Sequence, residues 1–325
     1  LIASWTGAAK VVNGLFGVYK DFAWPRPIRL IIDARRCNRR LVPSPYVPLV
    51  TPAGLGASLR QMLRRRRRRT RIPPPMWTGK RDVSCCFYRC LLPSAWHPLL
   101  GLPGVPASRV WELVKGKTLE FRRRGGGTVR WLVREGDTVH PLLGVVAMGL
   151  SHSVFLIQVL HEHVVRQIPR VQRAAVPREW GLRPAEMDAS LVACVIVDDL
   201  NLIGLGTREE VNEALLEAEP YYLKIGWTAK ESKKEDAQLT GRKVTGVIVD
   251  GESRTLHPPR EKLEDCARVV LSLVRERFVS VAAVDRVAHV LGWYMLLGRP
   301  TMSIFKETYR WIERHRGGTA YVSEA

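Results

Sequence analysis

Residues 194–204 read CVIVDDLNLIG, an apolar run that breaks at Asp198 and Asp199 and then resumes. Leu191–Val197 is continuously apolar and too short for an ordinary helix, and Leu200–Leu205 answers it. The pair predicts a β-hairpin with the two aspartates at or beside its tip. Adjacent carboxylates repel, and burying them unpaired costs free energy or forces one to hold a proton. A divalent cation removes both problems: Mg²⁺ takes oxygen ligands and is content with one or two protein carboxylates. A third carboxylate on a neighbouring strand would let two ions sit about 4 Å apart, the arrangement that clamps attacking and leaving oxygens in phosphoryl transfer. Asp82, which ends a short segment of its own far upstream, is the candidate.

The rest of the chain supplies a setting for that chemistry. It has 325 residues, 46% of them hydrophobic, enough for one large domain or two to three lobes with buried cores. A formal net charge of +20 predicts a polyanionic partner, either nucleic acid or an anionic membrane surface. Six unevenly spread cysteines (Cys37, Cys85, Cys86, Cys90, Cys194 and Cys266) read as reduced core thiols of an intracellular protein. Zinc at Cys85, Cys86 and Cys90 is the weaker alternative, because no CxxC pair is present. The sequence opens without Met or a secretory leader, as though cut from something longer, and is expected not to be secreted. Leu142–Leu160 runs nineteen residues without Asp, Glu, Lys or Arg. Its glycines, serines and Gln158 favour a loop followed by a buried helix over a membrane span.

Along the chain, Ile28–Ile32 predicts a β-branched strand. Prolines at 43, 45, 48 and 52 predict an extended path, after which Arg64–Arg69 is an unbroken charge run. Such a run reads as a solvated, partly disordered segment, as a set of phosphate contacts, or as a localisation signal. LEFRRRGGGTVRWLV (119–133) predicts a hairpin, and apolar residues at 154, 157, 160, 164 and 168 predict a helix with one buried face. TREEVNEALLEAEPYYLKI (207–225) predicts an amphipathic helix capped by Thr207, and Val244–Val249 predicts one strand. Helical patterns fill the chain from Pro259 onward. This order suits an α+β fold better than a doubly wound sheet.

Taken in order, these segments resemble the reverse transcriptases of retroelements, from about Val18 to Trp311. RLIIDARRCN resembles their fingers strand, where Arg29 would touch the incoming triphosphate with Lys20 nearby. DVSCCFY resembles the first catalytic motif. The resemblance makes Asp82 a metal ligand and Phe87 the aromatic gate beneath the sugar C2′. AMGLSHSVFLIQ resembles the loop and helix that support nucleotide and template, with Met148 and Gly149 at the nucleotide and Ser153 at the template. IVDDL corresponds to the family's x-Asp-Asp turn, so Asp198 and Asp199 would complete the metal set. In GWTAKESKK, Lys233 falls where a lysine protonates the leaving pyrophosphate, with Lys230 and Lys234 as substitutes. VTGVIVD resembles the strand that grips the primer, through Gly246. Arg64, Arg65 and Arg66 would add grip on template and primer.

The resemblance implies an α+β right-hand polymerase with an antiparallel-sheet palm, fingers and a helical thumb or connection-like C-terminal lobe. Residues 1–81 would be fingers-like with a basic insertion, 82–96 palm, 97–140 fingers-like, 141–257 palm and 258–325 thumb-like. It further implies two Mg²⁺ ions, with Mn²⁺ as the alternative, an RNA template, a DNA primer and deoxynucleotides. No membrane partner is expected; a larger polyprotein or a separate RNase H is.

Two departures stand out: Ile196 replaces the family's tyrosine, and Gly79-Lys80-Arg81 precedes Asp82, where a strand buried beside the hairpin is expected to be apolar. They keep open a second reading, a catalytically decayed, basic nucleic-acid-binding remnant. A membrane-associated basic protein leaves the carboxylates without a role. HEHVVR at His161 lacks the second histidine of HExxH.

Overall fold

Alternation along Met76–Asp82 lays out the part of the fold that carries the aspartates. The computed structural model describes residues 2–6, 9–19, 28–69, 72, 74–122, 127–178, 182–183, 186, 188–276 and 278–321. It divides into two compact units, residues 1–47 with 83–161, and 48–82 with 162–325.

In the second unit, a four-stranded antiparallel sheet runs in the order Glu235–Gln238, Met76–Asp82, Asp199–Leu205, Leu191–Ile196. The Met76–Asp82 strand is therefore central, and successive side chains point to opposite faces. On one face Gly79 and Arg81 meet the helix Arg208–Lys224. A Cβ at Gly79 would collide with Leu215 of that helix, so only glycine admits it this close. Arg81 is 2% exposed, yet it is not a misplaced charge. Its Nε donates to Glu219 at 3.2 Å, and Nη1 donates to the Lys80 carbonyl at 3.0 Å. Asp236 lies 3.5 Å from Nη2. The expectation of an apolar residue here is corrected by that helix, which brings its own carboxylate to the strand.

The helix follows the sequence pattern. Thr207 accepts from the Glu210 amide while Glu210 accepts from the Thr207 amide, each at 3.2 Å, closing a capping box. Val211, Ala214, Leu215, Ala218 and Tyr222 form its buried stripe.

On the sheet's other face, Met76 joins Cys194, Ile203 and Leu205 in a core completed by Leu55, Leu59 and Met62 of the helix Pro52–Arg67. That helix starts where Thr51 caps the Gly54 amide and Pro52 takes the first turn. The charge run continues it to Arg67: arginine is a good helix former, and a basic last turn complements the helix dipole.

Val244–Val249 is not one strand. Arg242–Val244 and Val247–Asp250 pair as a hairpin, with Thr245 and Gly246 at φ +47° and +86° in a two-residue turn, and Thr255–His257 adds a third strand. Helices Arg260–Arg275, Val281–Met295 and Phe305–Arg314 follow, the last two sharing a core of Val281, Ala288, Phe305 and Ile312. Phe278–Ser280 pairs with Thr319–Tyr321, a small sheet the sequence pattern does not signal.

In the first unit, Gly14–Tyr19 pairs with Ile28–Asp33, and Thr118–Arg122 with Thr128–Leu132, the latter as the hairpin read from the sequence. Ile2–Thr6, Thr138–Leu143 and Val105–Pro106 make a third sheet. The stretch Leu142–Leu160 ends a strand, turns through a loop and enters the helix Ser153–Arg166. Among the described residues no helix is long and apolar enough to cross a membrane. All six cysteines are free, and only Cys85 is exposed.

Candidate active site

Strand register brings the aspartates together. Asp199 begins its strand and pairs with Ile196 on one side and Asp82 on the other, so the hairpin tip and the end of the central strand coincide. Directly opposite residues of an antiparallel pair point to the same face, and Asp82 and Asp199 therefore share one. Asp198 occupies the turn between the two hairpin strands. Val197 beside it has φ +56°, unusual for a β-branched residue and the kind of local strain that collects at functional turns.

Like charges at this separation must be offset. Lys80 lies two residues before Asp82 and hence on the same face, and its Nζ is 2.8 Å from Asp199 Oδ2. Lys233 donates to Asp82 Oδ2 from the short turn Glu231–Lys233, and the Lys230 amide of the same segment donates to the Asp82 carbonyl at 2.8 Å. Lys234 pairs with Glu219 and Glu231, so of these two it is Lys233 whose ammonium reaches Asp82. The hydrogen bond to Asp82 raises the Lys233 pKa above the ordinary lysine value, and the three aspartate charges add to it.

The lysines do not neutralise the site. Burial, with the charge of Asp82 adding to it, lifts the Asp198 pKa above the usual carboxylate range. Burial also raises that of Asp199, where Lys80 pulls the other way and Asp198 and Asp82 push further up. Asp199 Oδ1 is buried without a hydrogen-bond partner. Among the described residues no group of three or more His, Cys, Asp or Glu stands ready to hold a metal, and two of the three aspartates face ammonium groups instead. The donor set nevertheless fits a hard divalent cation: three carboxylates, oxygen atoms only, one of them an orphaned buried oxygen.

The other residues singled out in the sequence divide between the units. Gly246 sits in its hairpin turn, where Trp293 Nε1 donates to the Thr245 carbonyl at 3.0 Å. Arg64 is exposed, Arg65 pairs with Asp188 at 3.2 Å, and Arg66 is half-buried. In the first unit Arg29 is exposed on its strand, and Phe87 is half-buried on the short helix Cys86–Arg89. Gly149 has φ +106°, and a Cβ there would strike the Ile32 carbonyl. The Met148 carbonyl accepts from the Ile32 amide at 3.2 Å. Ser153 is buried, with its hydroxyl donating to the Ala147 carbonyl at 2.6 Å. Lys20 lies outside the described residues.

Sequence reasoning missed Lys80 as a partner of Asp199, although its i, i+2 spacing from Asp82 was the available signal. It also missed Asn38, whose amide nitrogen donates to the Gly149 carbonyl and whose oxygen accepts from the Ser151 amide, each at 2.9 Å, bracing the loop that carries Met148 and Gly149.

The chain has the fold of the reverse transcriptases. It is similar to three solved structures of the foamy viral protease-reverse transcriptase. One, of the dRH form with double-stranded DNA, has a TM-score of 0.59 at 12% identity, covering 100% of this chain and 42% of that one. One with an RNA/DNA hybrid gives 0.58 at 13%, over 99% and 33%. One with double-stranded DNA gives 0.57 at 11%, over 99% and 50%. The chain thus spans between a third and a half of the chains it matches. No family model and no curated protein matches it.

Proposed function

We propose that the chain is an RNA-directed DNA polymerase, extending a DNA primer on an RNA template by two-metal phosphoryl transfer. The observation that carries this is the register of Asp199 with Asp82 beside a turn holding Asp198, on a chain with the fold of reverse transcriptases. Asp82, Asp198 and Asp199 would hold Mg²⁺, whose chemistry is to make the primer hydroxyl acidic and to neutralise the triphosphate. Lys233, kept protonated by Asp82, is the proton donor to the leaving pyrophosphate. Arg29, Lys20, Met148 and Gly149 form the nucleotide side, with Phe87 excluding a 2′-hydroxyl, while Gly246 and Ser153 belong to the primer and template side. The sheet with the aspartates is the palm, and the helices from 258 are a thumb-like lobe.

A second reading, the decayed nucleic-acid-binding remnant, is favoured by one observation: Lys80 sits on Asp199, where a cation would. Primer extension on an RNA template with Mg²⁺, parent against Asp198→Asn, separates them. The polymerase reading expects extension by the parent alone, with duplex binding equal in both. Duplex binding without extension by either identifies the remnant.

A further inference from the structure

We propose that the cavity between the arginine helix (Pro52–Arg67), the strand Thr255–His257 and the turn Leu296–Ile304 is a second nucleic-acid site, taking the phosphodiester backbone of a single strand. The cavity has a volume of about 900 Å³, within the range of ligand-binding clefts. Its floor is apolar, from Leu59, Leu63, Met76 and Leu256, and no Asp or Glu lines it. Its rim carries Arg60, Arg64 and Arg67, joined by Arg254 and Arg299 from the facing segments.

Residues 60, 64 and 67 are spaced four and three apart, so their side chains form one stripe along the helix. All three are exposed, and among the described residues none has a carboxylate partner. Arg65 and Arg69, on another face, are both tied to Asp188, at 3.2 and 3.1 Å. Arg65 and Arg69 of the charge run thus share one carboxylate of the chain, while Arg64 and Arg67, with Arg60 before the run, line the cavity. Like charges three and four apart on a helix repel, so the stripe costs stability until an anion meets it. It extends about 10 Å along the helix axis. Along that length successive phosphates of a single strand can meet the guanidiniums, and the guanidinium fork matches a phosphate bidentately. Among peptides, only a run of consecutive acidic residues would deliver a comparable row of charge.

The site is separate from the aspartates. The cavity reaches the central strand at Met76, its first residue, whereas Asp82 is its last. Six residues of strand are about 20 Å. The choice of nucleic acid as the anion rests on the proposed polymerase function; the cavity's fit to phosphate does not.

The test is a salt titration of full-chain binding to a fluorescein-labelled oligothymidylate, read by anisotropy, for the parent, Arg60→Gln/Arg64→Gln/Arg67→Gln and the control Arg65→Gln/Arg69→Gln, with circular dichroism melts to establish that each folds. The slope of log K against log salt is expected to become shallower by about 2 in the triple variant, from about 0.7 per lost phosphate contact on a single strand. The control is expected to keep the parent's slope. Equal slopes in parent and triple variant, or equal losses in the two variants, overturn the proposal. Polyglutamate that binds the parent but not the triple variant, with oligothymidylate binding both alike, reassigns the cavity to an acidic peptide and also overturns it. Primer extension by the parent is read separately, so failure of the polymerase reading, seen as absence of extension, is distinguishable from failure of this one, seen in the salt slopes.

Discussion

At the scale of single residues, Lys80 offsets part of the repulsion among three carboxylates through its ion pair with Asp199. Asp199 titrates above an ordinary aspartate, so its ionised form opposes folding above that range and the penalty fades as pH falls through its raised pKa. Lys80 limits the penalty, since the pair is mostly shielded from water, with side-chain exposures of 19% and 29%. Lys80→Met should therefore destabilise the chain at pH 7 by about 1–3 kcal/mol, and by less in mild acid, as measured by urea unfolding. Because Asp199 Oδ1 already lacks a partner, added Mg²⁺ should raise the Tm of the variant more than that of the parent. An equal Mg²⁺ shift in both would show that the ion binds elsewhere. Lys80 was legible as a charge beside Asp82 but not as a partner of Asp199, because only strand register sets that diagonal. Arg81, out of place in the sequence, is explained by Glu219, over a hundred residues away in the chain and brought near by helix packing.

Elements were most legible where one face is buried and the ends are chemically marked. The helix Arg208–Lys224 shows this, since its apolar stripe and the Thr207 cap are local properties, whereas the aspartate hairpin, buried on both faces, was legible from its two short apolar runs. Thr207→Ala removes one side of the capping box and should cost about 1 kcal/mol in chemical denaturation. A change within error would mean that burial of Val211 and Leu215 alone fixes the helix start. Legibility failed where local signals conflict. Val244–Val249 is apolar throughout, and Gly246 alone hinted at the turn that splits it. The arginine run carries no apolar periodicity of its own, but Leu55, Leu59 and Met62 anchor the preceding turns and propagation does the rest. The strands Ile2–Thr6 and Glu235–Gln238 were not read, because short strands with little alternation acquire their identity from their partners.

For the whole molecule, the α+β composition and the succession of motifs were readable. The division into residues 1–47 with 83–161, and 48–82 with 162–325, was not. The chain crosses between units at 47/48, inside the proline-rich stretch, at 161/162, just past the charge-free run, and at 82/83, but those changes of composition were read as local structure because the partners of the adjoining segments are distant in sequence. The net charge of +20 is likewise a property of the whole chain, giving long-range attraction to polyanions that weakens with salt. What it does not supply is chemistry, which under the proposed function rests on three carboxylates at one end of one sheet. The most direct measurement of that claim is single-turnover incorporation of one deoxynucleotide onto a primer annealed to RNA, across a Mg²⁺ titration, for the parent and for Asp82→Asn, Asp198→Asn and Asp199→Asn. The account predicts Mg²⁺-dependent incorporation by the parent and a loss of at least about 10²-fold in each variant, with primer-template affinity retained. Incorporation that survives all three substitutions, or that proceeds without a divalent cation, would contradict it.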